Sequence, residues 1–256
     1  MSTDGQTFVK TRHDAHADFF AAEAAGLRWL AAGGARTVRV LDVGAAHITL
    51  ERLQTSRPSA AAAREFGGRL ARLHDSGARS FGCAPEGFEG TIFIGARKMS
   101  STEYDAWGHF YAAERVLPFL RVAVDAGTVT ADECILVERA CEVIASGALD
   151  DGDPPSRLHG DLWNGNVVWT ADGVVLIDPA AHGGHRDTDL AMLELFGCPY
   201  LDDVIAGYGE THPLVDGWRE RVPAHQLHPL AVHAAGHGRG YGVGLVEAAE
   251  RTLRLA

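Results

Sequence analysis

The sequence predicts an α+β fold in two unequal lobes. Three observations lead there. Strand-like and helical runs alternate up to about residue 53. Helical runs dominate everything after it. That second part is interrupted by one clear hairpin, "NVVWTADGVVLID", in which two β-rich runs flank Asp172-Gly173, a tight-turn signal. A chain of 256 residues can build one large domain or two small lobes with a real core. The expected division is a small strand-plus-helix lobe over 1–53 and a larger, mainly helical lobe over 54–256 that carries the hairpin.

The elements follow in order. "TFVK" (7–10) reads as a short strand. "DAHADFFAAEAAGLRWLAAGG" reads as a helix, with Asp14 placed to cap it, an Ala-rich interior, and Gly33-Gly34 to stop it. Phe19, Leu27 and Leu30 share one face at helical spacing. Glu23 lies four residues from both Phe19 and Leu27, so it sits on the same apolar face, where a carboxylate needs a partner. "RTVRVLDV" and "HITLERL" are strand-like runs joined by Gly44-Ala45-Ala46. "PSAAAAREFGGRLARLHDSG" is a second helix, with Pro58 near its first turn and Phe66, Leu70 and Leu73 on one side. Residues 76–102 are rich in Gly, Ser and Pro and are expected to form a long loop. Helices are expected over about 103–125 and 130–147. "DDGDPPS" then breaks the pattern, the hairpin follows, and the chain is mostly helical from about 187.

Composition excludes several classes of function. The formal net charge of -11 argues against a general affinity for DNA or RNA phosphates, so no nucleic-acid partner is expected. No apolar run reaches the roughly 18 residues a membrane span needs, so no membrane association is expected. The start, "MSTDGQTFVK", has neither an apolar signal core nor an Arg-rich amphipathic pattern, and the expected location is cytoplasmic. Cys83, Cys134, Cys141 and Cys198 are scattered without a C-x-x-C, which fits free thiols rather than a zinc knuckle or a redox pair. Nearly every basic residue is Arg. Lysine occurs only at 10 and 98, so each is a place to ask why an ammonium was kept.

The densest cluster of polar chemistry is "LHGDLWNGNVVW" (158–169), leading into the hairpin. It holds His159, Asp161 and Asn166, and Asp178 stands at the hairpin's far end. A hairpin returns its end to where it began, so Asn166 and Asp178 are expected close together with Asp161 beside them. Two hard oxygen ligands and one free carboxylate at a cleft mouth suit Mg2+, which keeps its other positions for water or phosphate oxygens. Phosphoryl transfer uses this equipment: a metal on the phosphates, a carboxylate to orient and deprotonate the attacking hydroxyl, and a lysine on the phosphates. The H-x-D-x-x-x-x-N spacing followed by a metal-binding Asp is that of a protein-kinase-like catalytic loop, here with Asp178-Pro179-Ala180 in the metal-binding place. The lysine and its Glu are then expected upstream on a strand and the next helix, where Lys10 and Glu23 stand. Singly, each has an ordinary reading: surface lysine, half-exposed helix edge, helix cap, turn opener. Four placements in this order and spacing are harder to explain so. Trp163 is two residues from Asp161 and is either core or a substrate wall; Trp169 reads as core.

"LHGDLWNGN" together with "LIDPAAHGGHRDTDLAMLELFG" resembles the fructosamine kinase family, within the aminoglycoside phosphotransferase and protein-kinase-like fold. "FFAAEAAGLRWL", "WGHFYAAERVLPFL" and "HQLHPLAVH" are also similar to that family's segments. The resemblance runs over nearly the whole chain from about residue 7. It implies a kinase that uses ATP and Mg2+ to phosphorylate a sugar hydroxyl of a small-molecule ketoamine or glycated amine. It further implies Asp161 as base, Asn166 and Asp178 as Mg2+ ligands, and Lys10 paired with Glu23. By the same resemblance backbone groups of Glu51 and Leu53 meet adenine, and Asp189 braces the catalytic loop with His159. Kinases of this type place a strand, a Gly-rich turn and a second strand before the lysine strand, on the order of 20 residues. Nine residues precede Lys10 here. A shortened N-terminal lobe lacking the Gly-rich-loop hairpin is therefore expected, with weak nucleotide affinity. Three alternatives stay open: a pseudokinase serving as a binding module, an aminoglycoside-type small-molecule kinase, and a metal hydrolase built on His159, Asp161, His182 and His185.

Overall fold

The computed structural model describes residues 6–255. Strand β1 (Thr7–Thr11) pairs with β3 (His47–Glu51), which pairs in turn with β2 (Val40–Gly44), all antiparallel. Lys10 stands opposite Ile48 in this register. Helix α1 (Phe19–Ala32) packs behind the sheet, where Phe20, Ala24 and Leu27 meet Ile48 and Leu50. Full burial of each large apolar side chain contributes roughly 1.5 to 3 kcal/mol. The helix ends as expected at Gly33-Gly34, with Gly34 at φ +93°. Its start differs from expectation. Asp18, not Asp14, occupies the N-cap position, and its carboxylate caps nothing there; it accepts the Thr91 N–H at 2.9 Å. A distant backbone donor outcompetes the local one.

The second lobe opens with α2 (Ala60–Asp75), whose first turn is capped by the Ser59 hydroxyl accepting from Ala62 N–H, with Pro58 just outside. Phe66, Leu70 and Leu73 are all buried. Within the segment expected to be a loop, residues 92–99 form a hairpin, β4 (Ile92–Ile94) and β5 (Arg97–Met99), turning at Gly95-Ala96. It was hidden because each strand is only three residues long in a Gly- and Ser-rich setting. Helix α3 (Trp107–Phe110), a π-helical stretch (Tyr111–Val116) and α4 (Leu117–Asp125) run on continuously. Helix α5 (Ala131–Ala145) carries a capping box in which Thr130 and Glu133 exchange hydrogen bonds.

Strand β6 (Ser156–Leu158) pairs with β9 (His182–Gly184), and β7 (Val167–Thr170) with β8 (Gly173–Leu176). The β7–β8 turn is Ala171-Asp172, with Gly173 (φ +112°) already paired to Thr170, one residue earlier than the Asp172-Gly173 turn expected. Trp169 is core. Four helices finish the chain: α6 (Asp187–Phe196), α7 (Leu201–Thr211), α8 (Trp218–His237) and α9 (Arg239–Leu253). Pro229 inside α8 cannot donate to the His225 carbonyl four residues back, and the Tyr111 hydroxyl donates to it instead at 2.6 Å. The two lobes meet where Val38 N–H donates to Leu176 O and Leu176 N–H to Arg36 O, and where Val175 joins the small-lobe core. The four cysteines are free thiols. Among the described residues no helix is long and apolar enough to cross a membrane.

Candidate active site

A cleft of about 350 Å³ opens between α1, the β4–β5 hairpin and the loops around β7–β8. Lys10, Glu23, Asp161, Trp163, Asn166 and Asp178 all line it. Six residues separated by up to 168 positions are thus brought to one place.

Asp161 follows β6 through Gly160. Gly160 has φ +78°, and a Cβ there would lie 2.3 Å from the Ala180 carbonyl oxygen, so only glycine fits. The Asn166 amide donates through Nδ2 to Asp161 O at 2.8 Å and Asp161 Oδ2 at 3.1 Å. It also approaches Asp178 O at 3.5 Å. Asp178 is one of two non-glycine residues at positive φ among those described (φ 53°), a conformation that costs free energy and concentrates at functional sites. The Lys10 ammonium donates to Glu23 Oε1 at 2.7 Å and pairs with Asp178 Oδ1 as well. The apolar-face Glu23 thereby gains the partner it needs.

The electrostatics fit these contacts. Burial raises the Asp161 carboxyl above its ordinary value, against the neighbouring His159 and the Asn166 hydrogen bond, which lower it. Burial would lower the Lys10 ammonium, but Glu23 and Asp178 together outweigh it and raise it. Glu23 is raised by burial, partly offset by Lys10. The donor set also suits a hard cation. Asn166 turns its Nδ2 toward Asp161, which leaves Oδ1 as its ligand atom, and the Asp178 carboxylate is 43 % exposed toward the cleft. Trp163 stands at the rim, 42 % exposed, its ring lying over Gly165 so closely that a Cβ there would clash.

His159 and Asp189 lie beneath the cleft. Asp189, buried in the first turn of α6, accepts His159 N–H at 2.8 Å and Gly160 N–H at 3.0 Å. His159 Nε2 bonds to Ile177 O at 2.9 Å. His74 Nε2 on α2 meets the same Asp189 carboxylate at 3.2 Å, while its Nδ1 meets the Tyr208 hydroxyl. Sequence reading passed over His74, whose signal was a polar residue four after Leu70 on the apolar face of α2. It also passed over Phe93 and Asp18. Phe93 lines the cleft against Phe19, and Asp18 ties the hairpin to α1.

Glu51 and Leu53 do not line this cleft. Glu51 N–H donates to Arg39 O, and its carboxylate accepts from Arg39 N–H, over a separate surface hollow. Leu53 packs partly against the small-lobe core. The hydrolase set does not assemble either. His182 is engaged with Arg115 and Ala180 O, and His185 bonds to Asp151 and accepts the Asp187 N–H, both away from Asp161.

Comparison with known proteins gives a concordant result. The family model for fructosamine kinase matches residues 1–254. The chain is similar to a "probable ketoamine kinase" of Thermus thermophilus, 33% identical over 237 residues, which are 93% of this chain and 84% of that one. It is similar to another of that description from Vibrio parahaemolyticus, 31% identical over 189 residues, covering 74% of this chain and 61% of that one. Among solved structures, a "putative fructosamine-3-kinase" from Thermobifida fusca superimposes with a TM-score of 0.89 at 44% identity, over 98% of this chain and 87% of that one. A thermostable mutant of an aminoglycoside phosphotransferase matches at TM-score 0.63 and 14% identity, over 99% and 88% of the two chains, a likeness of fold alone. The α+β, kinase-like two-lobed fold is thereby shown. Nothing in these likenesses points to a binding module without kinase activity.

Proposed function

The chain belongs to the fructosamine kinase family, and from that premise we propose that it transfers the γ-phosphoryl group of ATP to a sugar hydroxyl of a small-molecule ketoamine. The observation that carries the reading is the convergence of Lys10, Asp161, Asn166 and Asp178 in one cleft. Asp161 accepts the proton of the attacking hydroxyl and holds its oxygen in line with the phosphorus. Asn166 keeps Asp161 oriented through Nδ2 and offers Oδ1 to Mg2+, with the Asp178 carboxylate as the second ligand. Bound Mg2+ neutralises charge on the phosphates. With Mg2+ bound, Asp178 would serve as a metal ligand and the Lys10 ammonium, paired with Glu23, would hold the phosphates. Asp189 and His159 hold the catalytic loop from below. Trp163 covers the acceptor side of Asp161. The lobes divide near residue 53, and a cytoplasmic setting, where ATP is plentiful, goes with the reading.

The test is ADP release by the purified chain with MgATP, with and without acceptors drawn from ketoamines, ribose adducts and aminoglycosides. Acceptor-dependent ADP release is expected with ketoamines. Release only with aminoglycosides, or none above the acceptor-free rate, contradicts the proposal.

A further inference from the structure

Beneath the cleft lies a cation that the phosphoryl-transfer scheme leaves unused. Arg115 is 0 % exposed, and no carboxylate pairs with it among the described residues. Its Nη1 donates to Ser100 O at 3.0 Å and to Glu114 O at 3.1 Å. Its Nε donates to His182 Nε2 at 3.3 Å, and the guanidinium lies 4.6 Å over the Phe110 ring. Nη2 has no hydrogen-bond partner among the described residues. Burial lowers this guanidinium to about 9, partly offset by the nearby Glu114 carboxylate, so it remains charged at neutral pH. A buried charge with no directly bonded counter-charge is costly, and an apolar side chain of similar length would fill the same volume without that cost. Stability alone does not account for its presence.

Its contacts show what it links. Ser100 directly follows β5, the second strand of the hairpin that walls the cleft. His182 accepts at Nε2, which fixes the ring proton on Nδ1, and Nδ1–H donates to Ala180 O at 2.8 Å. Ala180 lies two residues after Asp178. Its carbonyl is also the surface against which Gly160 packs, one residue before Asp161. The hydrogen-bonded chain Arg115, His182, Ala180 therefore ends between the two loops that carry the proposed base and metal ligand. Arg115 reaches this position from the π-helical stretch Tyr111–Val116. Such wider turns are rare and occur frequently at functional sites.

We propose that Arg115, acting through His182, is a positioning residue that holds the Asp178 loop and the Asp161 loop in register with each other and with the β4–β5 hairpin. It rests on the roles assigned above to Asp161 and Asp178. In its absence both loops keep their chemistry but lose their mutual alignment.

The test uses the full chain with Arg115→Met, His182→Leu and His182→Asn, the last placing an amide N–H where Nδ1–H stood. Three quantities are read: Tm, steady-state kinetics, and amide hydrogen exchange over 160–163 and 178–183. Arg115→Met is expected to lower Tm by only a few degrees, because removing the desolvated charge offsets part of the cost of leaving Ser100 O and His182 Nε2 without their donor. Its kcat is expected about 100-fold lower, the cost of misplacing reacting groups by about an ångström, with acceptor KM changing much less. Exchange in both loops is expected to rise about tenfold, as for the loss of one buried hydrogen bond. His182→Leu should do the same, and so should His182→Asn, which keeps a donor for Ala180 O but has no acceptor at the place of Nε2 for Arg115; a His182→Asn variant with wild-type kcat and loop exchange would overturn the link through Arg115. The proposal is overturned if Arg115→Met and His182→Leu leave kcat and loop exchange unchanged. It is equally overturned if Tm and activity fall together while kcat per folded molecule is unchanged, the pattern of a merely structural residue. Absence of ketoamine phosphorylation in the wild type would contradict the proposed function. Loop exchange would then decide the positioning role alone: faster in Arg115→Met, His182→Leu and His182→Asn supports it, and no change in Arg115→Met or in His182→Asn contradicts it.

Discussion

Asp161 and Asp189 are the same residue type, one following Gly160 in the chain and the other accepting the Gly160 N–H, and they are used in opposite ways. Asp189 is 1 % exposed and its carboxylate is saturated: the N–H groups of His159 and Gly160 and the His74 ring converge on it. Asp161 faces the cleft and is held by one side chain, Asn166. The layer beneath has its bonding capacity filled and so fixes geometry. The cleft face keeps capacity open and so can bind and react. Capacity to bind and react in this cleft sits on side chains left short of partners, supported by side chains that are not.

Exchanging the two duties is the way to break that comparison. The largest effect is expected from Asp161→Asn, which should lower turnover by about two to four orders of magnitude, the usual worth of general-base help, with Tm and nucleotide binding unchanged. Steady-state kinetics beside a thermal melt checks it; near-wild-type turnover would remove Asp161 from the role of base. Asp189→Ala should do the reverse in kind. Leaving two buried N–H groups without an acceptor costs about 2 to 5 kcal/mol, which lowers Tm by roughly 5–15 °C. A melt within a degree of wild type would show that the lower layer is not saturated as described.

Lys10→Ala sharpens the contrast from the cleft side. Losing one charge-assisted contact to the phosphates at roughly 1.5 to 3 kcal/mol should weaken nucleotide binding about 10- to 100-fold in titration with a non-hydrolysable ATP analogue and Mg2+. Unchanged binding would assign the phosphates to another group. The smallest effect is in pH. Asp161 must be ionised to accept a proton, and burial raises its carboxyl, so kcat/KM is present above the raised value and lost as pH falls through it. The acid limb should therefore lie above the ordinary carboxylate value of about 3.9. A limb at or below it would mean that the cleft is wetter around Asp161 than its burial implies.

The cleft face was largely legible in the sequence and the layer beneath it was not. Asp161, Asn166 and Asp178 lie within one loop and hairpin, so spacing alone brings them together. Glu23 betrayed itself as a carboxylate on an apolar helix face, and Lys10 as one of two lysines. His74 and Arg115 act on groups 115 and 67 residues away along the chain, and no local pattern encodes such a meeting. The π-helical stretch Tyr111–Val116 has an ordinary helical composition and gains its geometry from packing. The β4–β5 hairpin was too short to show as alternation, although Ile92-Phe93-Ile94 before Gly95 was its trace. Asp14 lost the cap position because Asp18 was drawn to Thr91, a contact made only in the folded chain.

The most direct test of the central claim is the mass of a synthetic ketoamine after incubation with MgATP and either the wild-type chain or Asp161→Asn. The acceptor is expected to gain one phosphoryl group on a sugar hydroxyl with the wild type and to remain unmodified on the same timescale with Asp161→Asn. An acceptor left unmodified by the wild type, or modified equally by both, would contradict it.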